Sequence, residues 1–108
     1  MGVATNLLCP RGQAKTYTAS AQSPTNISGW NFAFTIRAAV GGQILAQVTS
    51  GNGITITDAV NGILSISLTA AQTMWPPYLY YWDLWRTDAG FEDQLGSGQF
   101  TITPSYRL

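Results

Sequence analysis

The amino-acid sequence predicts an all-β protein, an antiparallel sandwich of seven or eight short strands. Three observations carry this prediction. Apolar and polar residues alternate with a period of two, which is the side-chain period of a strand. Stretches rich in glycine, asparagine and aspartate separate the alternating runs, and no long helical pattern lies between them. Short strands at such spacing are typical of two packed antiparallel sheets.

The run WNFAFTIR shows the alternation most clearly, because its odd-numbered and even-numbered members differ so sharply in polarity. The strands are expected near residues 14–21, 30–37, 43–49, 54–57, 63–68, 78–87, 91–95 and 99–103. The inward members of these runs are expected to form the core: Phe32, Phe34, Ile36, Ile54, Ile56, Leu64, Ile66, Leu68, Phe100 and Ile102.

Turns are predicted where glycine-containing stretches interrupt the strands: Gly41-Gly42, Gly51-Asn52-Gly53, Asn61-Gly62, Asp88-Ala89-Gly90 and Gly96-Ser97-Gly98. The exception to the β pattern is one short helical turn near 69–74, which Thr69 can cap through its hydroxyl. Pro76-Pro77 then ends this turn and enters the next strand in an extended conformation.

The length of 108 residues predicts one domain, spanning 1–108, with residues 1–12 as a possible amino-terminal arm. Apolar residues make up 45% of the chain, charged residues 9%, and the net charge is zero. This balance argues against a nucleic-acid partner, since phosphate binding needs clustered lysine and arginine. A weakly charged surface instead favours association with other proteins. The start MGVATNLLCP lacks the features of a secretory signal, and no run approaches the length of a membrane span.

Histidine is absent, which excludes histidine-assisted nucleophilic catalysis and nearly all zinc sites. The single cysteine, Cys9, has no partner for an intramolecular disulfide and no histidine to activate it, so we expect it to be structural. Asp88, Glu92 and Asp93 flank Gly90 in a predicted hairpin, where acids serve as turn formers more often than as a glycosidase pair or a cation site. We therefore expect no enzyme, no cofactor and no metal.

Asp83 lies in the middle of a predicted strand, where an unpaired carboxylate would be costly. The expected partner is Arg37 or Arg86, in a hydrogen bond or an ion pair.

The stretch YLYYWDLW, residues 78–85, is aromatic on both faces of its strand. Tyr78, Tyr80, Trp82 and Leu84 are expected to face the core, which leaves Leu79, Tyr81 and Trp85 facing outward. There are two possible explanations of how such a patch is shielded from solvent. Either a terminal segment (VATNLL or PSYRL) folds across it, or a neighbouring protein does, because tyrosine and tryptophan are enriched at interfaces. We expect the second, and hence a homo-oligomer or a larger assembly.

Trp75, next to Pro76-Pro77, lies off the regular alternation and is the fourth candidate for the interface. It could stack on a sugar, or it could plug the end of the sandwich.

The order of several motifs resembles a known group of proteins: RGQAKTYT, NISGWNFAFTIR, GITITDAVNGILSISLTAAQT, YYWDLWRTDAG and GSGQFTITPSYR. In this order they are similar to the small immunoglobulin-like sandwich domains of tailed-phage structural proteins, including the amino-terminal domains of baseplate and fibre-attachment proteins. The resemblance runs from about Arg11 to Arg107. Asn26 departs from it, standing where that group often has aspartate.

The resemblance implies an immunoglobulin-like fold and a virion structural protein of the tail, baseplate or fibre-attachment region. Such a protein acts by protein–protein assembly, is made in the host cytoplasm, and has other virion proteins and copies of itself as partners. It brings no catalytic residues. Two alternatives remain open at this point: a capsid decoration protein, and a carbohydrate-binding module for host-surface glycans.

Overall fold

The computed structural model describes residues 3–4, 6–20, 26–39, 42–76 and 78–104, with the backbone alone for residues 3 and 4. These ranges form nine strands and a single-turn 3-10 helix, Ala71–Thr73. The strands are β1 Val3–Ala4, β2 Leu7–Pro10, β3 Lys15–Ser20, β4 Phe32–Arg37, β5 Ile44–Ser50, β6 Gly53–Asp58, β7 Ile63–Leu68, β8 Tyr78–Arg86 and β9 Asp93–Thr103. Nothing in the described part of the chain forms a helix of the length and hydrophobicity needed to cross a bilayer.

The strands form a larger and a smaller sheet. The larger has the order β9-β8-β4-β5, with β1 and β2 both paired to the outer side of β9, and the smaller has the order β6-β7-β3. The two are continuous where the end of β5 pairs briefly with the start of β6. This division is that of immunoglobulin-like sandwiches, in which strands B, E and D of the general fold oppose strands C, F and G. Here β3, β7 and β6 take the places of B, E and D, and β4, β8 and β9 take those of C, F and G.

Strand β8 carries a second feature of this fold. The Tyr80 hydroxyl donates a hydrogen bond to the Pro76 carbonyl, 2.8 Å away and four residues upstream, which is the geometry of a tyrosine corner. Two residues later, where antibody domains have a cysteine, Trp82 stacks on Phe34 of β4 with ring centroids 5.5 Å apart. The predicted fold class, an immunoglobulin-like β-sandwich with one short helical turn, is therefore confirmed.

The core lies between the sheets and contains the residues that the alternation predicts. Of the ten predicted, all are buried except Ile56, which is half-buried. Tyr80, Trp82 and Leu84 also face inward and are buried, as expected. Tyr78 is a correction, because 70% of its side chain is exposed. It is the first residue of β8, and its ring meets that of Tyr80 edge to face, with centroids 6.0 Å apart.

Strand β9 differs from its prediction. Two short strands joined by a Gly96-Ser97-Gly98 turn were expected, but β9 continues from Asp93 to Thr103 and pairs with β8 along its length. Neither glycine has a positive φ. Neighbouring strands on both sides supply the ladder hydrogen bonds here, and that pairing outweighs the low strand propensity of glycine.

The amino-terminal segment joins the larger sheet. Strand β1 pairs with β9 around Gly96, and β2 pairs with it from Phe100 to Thr103, both in parallel. In the described residues this segment extends the edge of the sheet and does not cross its outward face. The alternative cover by VATNLL is thus not what the structure shows, while the tail from Ser105 to Leu108 lies outside the described residues.

Two local features connect the sheets. Gly53 has a φ of 107° at the crossover into β6, and a Cβ there would lie 2.6 Å from the Cβ of Val48, so only glycine fits. The 3-10 turn has the expected cap. The Thr69 hydroxyl accepts a hydrogen bond from the Gln72 amide at 3.3 Å, and the Gln72 side chain accepts one from the Thr69 amide at 2.8 Å. This reciprocal pair is a capping box.

Candidate functional site

The outward face of the larger sheet is the candidate site, because strand β8 places large side chains there. Tyr81 and Asp83 are partly exposed, and Trp85 is 39% exposed. A register shift of β8 against β9 between Leu84 and Trp85 falls at the end of this row. Aromatic rings in such a position are typical of residues that another protein buries.

Of the four predicted interface residues, three lie on this face of β8. Leu79 and Tyr81 are half-buried, and Trp85 is the most exposed of the three. Trp75 is different. It lies in the loop before β8, packs against the core, and has its indole nitrogen buried with no hydrogen-bond partner in the described ranges. Trp75 therefore has the geometry expected of an end plug.

Strand β4 contributes small and polar residues to the same face. Thr35 is only 3% exposed, since it lies in register between Asp83 of β8 and Gln47 of β5. The Gln47 amide donates a hydrogen bond to the Thr35 hydroxyl at 3.1 Å. Polar groups beneath the larger side chains are thereby satisfied within the sheet, and the aromatic rings remain at the surface.

Among the described residues, strands β4 and β8 place one arginine and one aspartate on the outward face. Arg37 Nε lies 3.6 Å from Asp83 Oδ2, and Arg37 Nη1 donates a hydrogen bond to the Gly42 carbonyl at 3.0 Å. Asp83 thus pairs with one of its two predicted partners. Sequence reasoning did not place Arg37 at the interface, although its alternation in β4 puts it on this side of the sheet.

A shallow trough of about 290 Å³ runs along the face between β8 and β9. The trough forms because Ser97 and Gly98 of β9 have small side chains or none, next to the large side chains of β8. Its lining residues are Arg37, Tyr81, Trp82, Asp83, Gln94, Ser97, Gly98 and Gln99.

A larger cleft of about 660 Å³ lies between the two sheets. In the part of the chain that the structure describes, the smaller sheet ends at β3, while the larger sheet continues through β9 to β1 and β2, so part of its apolar inner surface has no strand opposite it. Tyr17 and Ala19 of β3, Ile66 of β7 and Leu95 of β9 line this cleft. The cleft is a consequence of unequal sheets, and the residues predicted as interface do not line it.

Arg86 closes one end of the sandwich with a second, tighter ion pair. Its Nε lies 2.9 Å from Asp88 Oδ2, and its guanidinium sits 3.8 Å from the centre of the Trp30 ring and 4.9 Å from that of Phe91. Asp88 also accepts hydrogen bonds from the backbone and side-chain nitrogens of Asn31, at 2.9 and 2.8 Å. The Asn31 amide and the Arg86 guanidinium lower the pKa of the Asp88 carboxyl to about 2.

Cys9 and Glu92 are in structural settings. Cys9 is fully buried, and this burial raises the pKa of its thiol, which keeps the sulfur protonated and a poor nucleophile at neutral pH. The Glu92 carboxylate accepts a hydrogen bond from the Gly90 amide at 3.0 Å, inside the β8–β9 turn. Across the described ranges, no three cysteine, aspartate or glutamate side chains come together as a metal site would require.

No protein-family model matches this chain, and no similar sequence is found among curated proteins. Among solved structures, the chain is similar to the extracellular domains of the voltage-gated sodium channel beta4 subunit, whose parallel homodimer structures explain its role in cell–cell adhesion. The match has 14% identity and a TM-score of 0.40, and covers 97% of this chain and 95% of that one. At this similarity it has no bearing on function, and the fold assignment rests on the strand order and the tyrosine corner.

Proposed function

We propose that this chain is a protein-binding domain that acts in assembly, through the outward face of its larger sheet, and that it catalyses no reaction. The observation that carries the proposal is the position of Trp85 and Tyr81. They lie on one strand, on the side away from the core, Trp85 is 39% exposed, and the amino-terminal strands pair at the edge of the sheet instead of crossing this face.

The composition supports this reading. With only 9% of charged residues and no net charge, the surface offers little to repel a protein neighbour or to attract a polyanion. Rigid aromatic side chains bury large areas at a low cost in conformational entropy, which is why they dominate the centres of protein interfaces.

We further propose that the assembly is a tailed-phage virion, in its tail, baseplate or fibre-attachment region. The support is the resemblance of the motif order between Arg11 and Arg107 to the sandwich domains of phage structural proteins. On this proposal the chain is made in the host cytoplasm and ends up in the particle, in contact with other virion proteins.

The test is incorporation into particles. During phage infection of a host that supplies tagged wild-type or variant chain, purified particles are probed for the tag. We expect the wild-type chain to be present in particles and the double variant Tyr81→Ser, Trp85→Ser to be absent from them. The matched control is Tyr78→Ser, which removes an exposed tyrosine from the same strand but not from the outward face; this variant should incorporate normally.

Other outcomes would contradict the proposal. Absence of the wild-type chain from particles would remove the virion assignment. Normal incorporation of the double variant would show that the outward face is not the assembly surface. Specific binding of the wild-type chain to host glycans, lost in the same double variant, would favour a carbohydrate-binding module.

A further inference from the structure

The ion pair on the outward face has unused binding capacity. The distance of 3.6 Å between Arg37 and Asp83 is longer than the 2.7–2.9 Å typical of a charge-assisted hydrogen bond. Their side chains are 30% and 20% exposed, and in the described part of the chain no hydrogen bond to the Asp83 carboxylate is present. A guanidinium has five N–H donors and a carboxylate about four acceptor sites, so both groups can bind a further partner.

The surroundings favour a side chain of a protein over a small molecule. The trough beside Asp83 holds about 290 Å³, at the lower limit of the range of about 300–1,000 Å³ for small-molecule pockets, and it is shallow, whereas such pockets bury most of the surface of their ligand. It has room for one long side chain, and Asp83, Tyr81 and Arg37 are among the residues that line it. An arginine that enters it would meet a carboxylate with free acceptor sites.

The charge pattern identifies the partner. A positive and a negative group lie side by side, and a surface of this kind is complementary to itself. In a two-fold contact, residue i of one copy meets residue j of the other, and j meets i. Any other protein would need its own arginine and aspartate at the same spacing, whereas a second copy has them by construction. The zero net charge of the chain adds no long-range repulsion between copies.

We propose that the outward face binds the same face of a second copy of this chain about a two-fold axis. In this contact, Arg37 of each copy enters the trough of the other and binds its Asp83, while Tyr81 and Trp85 pack around the two pairs. The inference rests on the proposed assembly function and specifies one partner for that face.

The experiment uses two charge reversals on the full chain, Arg37→Asp and Asp83→Arg, studied by sedimentation velocity over a range of concentrations. The first variant has two negative groups on the face and the second has two positive groups. Each should dimerise at least about tenfold more weakly than the wild type. A 1:1 mixture should recover dimers with close to wild-type affinity, because opposite charges then meet across the contact.

The mixture separates the proposal from an effect within one chain. In both variants the neighbouring groups at positions 37 and 83 carry like charges, so mixing repairs nothing inside a protomer. Lys15→Asp and Glu92→Arg serve as controls, since they reverse one positive and one negative charge away from this face; both should dimerise as the wild type does. Circular dichroism checks the fold of every variant. If a reversal unfolds the chain, Arg37→Gln and Asp83→Asn replace it. Each should weaken dimers, and a 1:1 mixture should recover part of the affinity, because the mixed dimer keeps one Arg37–Asp83 pair and the homodimers keep none.

Three results would overturn the inference: a wild-type chain that stays monomeric at high concentration, reversed variants that dimerise normally, or reversed variants that are not rescued by mixing. In each case the proposed function would stand or fall separately, by incorporation into particles. A monomeric chain whose Tyr81→Ser, Trp85→Ser variant still fails to incorporate would assign the outward face to a different virion protein.

Discussion

Two arginine–aspartate pairs in this small domain differ in the distance between their charges and in the groups that surround them, although their two aspartates are about equally exposed. Arg86 and Asp88 are 2.9 Å apart, the arginine lies against two aromatic rings, and the aspartate accepts two further hydrogen bonds from Asn31. Arg37 and Asp83 are 3.6 Å apart and partly exposed. The first pair is satisfied within the fold, whereas the second keeps capacity for a partner. On the inference drawn above, charged residues of the same types serve stability at one place and binding at another.

The largest expected loss of stability comes from a substitution in the core, and it gives a reference value for the effects of the two ion pairs. Phe34→Ala removes the ring that stacks on Trp82 and leaves a cavity beside it. We expect the free energy of unfolding to fall by about 3–5 kcal/mol, as measured by urea denaturation. A loss below about 1 kcal/mol would mean that this aromatic stack does not organise the core as the disulfide and tryptophan do in antibody domains.

The comparison is tested directly by removing each arginine in turn. Arg86→Ala loses the contacts with Trp30 and Phe91 and the hydrogen bond to Asp88, so we expect a loss of about 2 kcal/mol in unfolding free energy. Arg37→Ala should cost the isolated domain less than about 1 kcal/mol, because an ion pair that is both partly exposed and 3.6 Å long contributes little. Urea denaturation at low protein concentration measures both without a contribution from association.

Equal losses for the two alanine variants would contradict the division into a structural pair and a binding pair. A larger loss for Arg37→Ala would show that the outward pair is part of the fold, and the inference that it serves a partner would lose its basis.

The sequence predicts the buried core of the sandwich better than it predicts the outward face of the larger sheet. Alternation in β4 is sufficient to place Phe32, Phe34 and Ile36 in the core, because burial of one face follows from the period alone. It also contains an unused signal. Asp83 and Arg86 have opposite parity in β8, so they point to opposite sides of the sheet, which leaves Arg37 as the partner of Asp83.

What the sequence could not give depends on contacts between distant segments. The Gly96-Ser97-Gly98 stretch has the composition of a turn, and only its pairing with β8 on one side and β1 on the other keeps it extended. The trough of the outward face arises from that pairing, since it needs small residues of β9 beside large ones of β8. Likewise, the environment of the Arg86–Asp88 pair depends on a hydrogen bond between Asn31 and Asp88, which are 57 residues apart in the sequence.

The smallest effect is a change in the pH dependence of stability, and it probes the satisfied pair. The folded-state pKa of Asp88, about 2, lies below its ordinary value of 3.8. A lowered pKa means that the carboxylate stabilises the folded chain at pH values above about 4 and that this contribution is lost as the pH falls from about 4 to about 2. Asp88→Asn has no carboxylate to titrate. The difference in unfolding free energy between the wild type and this variant should therefore be constant above pH 5 and shrink between pH 4 and pH 2. Urea denaturation at a series of pH values measures it.

The Asn31 amide is the largest cause of the lowered pKa of Asp88, ahead of Arg86. The decrease of this stability difference between pH 4 and pH 2 should therefore persist, with reduced size, when both chains also carry Arg86→Ala. A difference that stays constant down to pH 2 would show that the hydrogen bonds to Asp88 do not favour its ionised form, and a narrowing that vanishes with Arg86→Ala would assign the effect to the arginine alone.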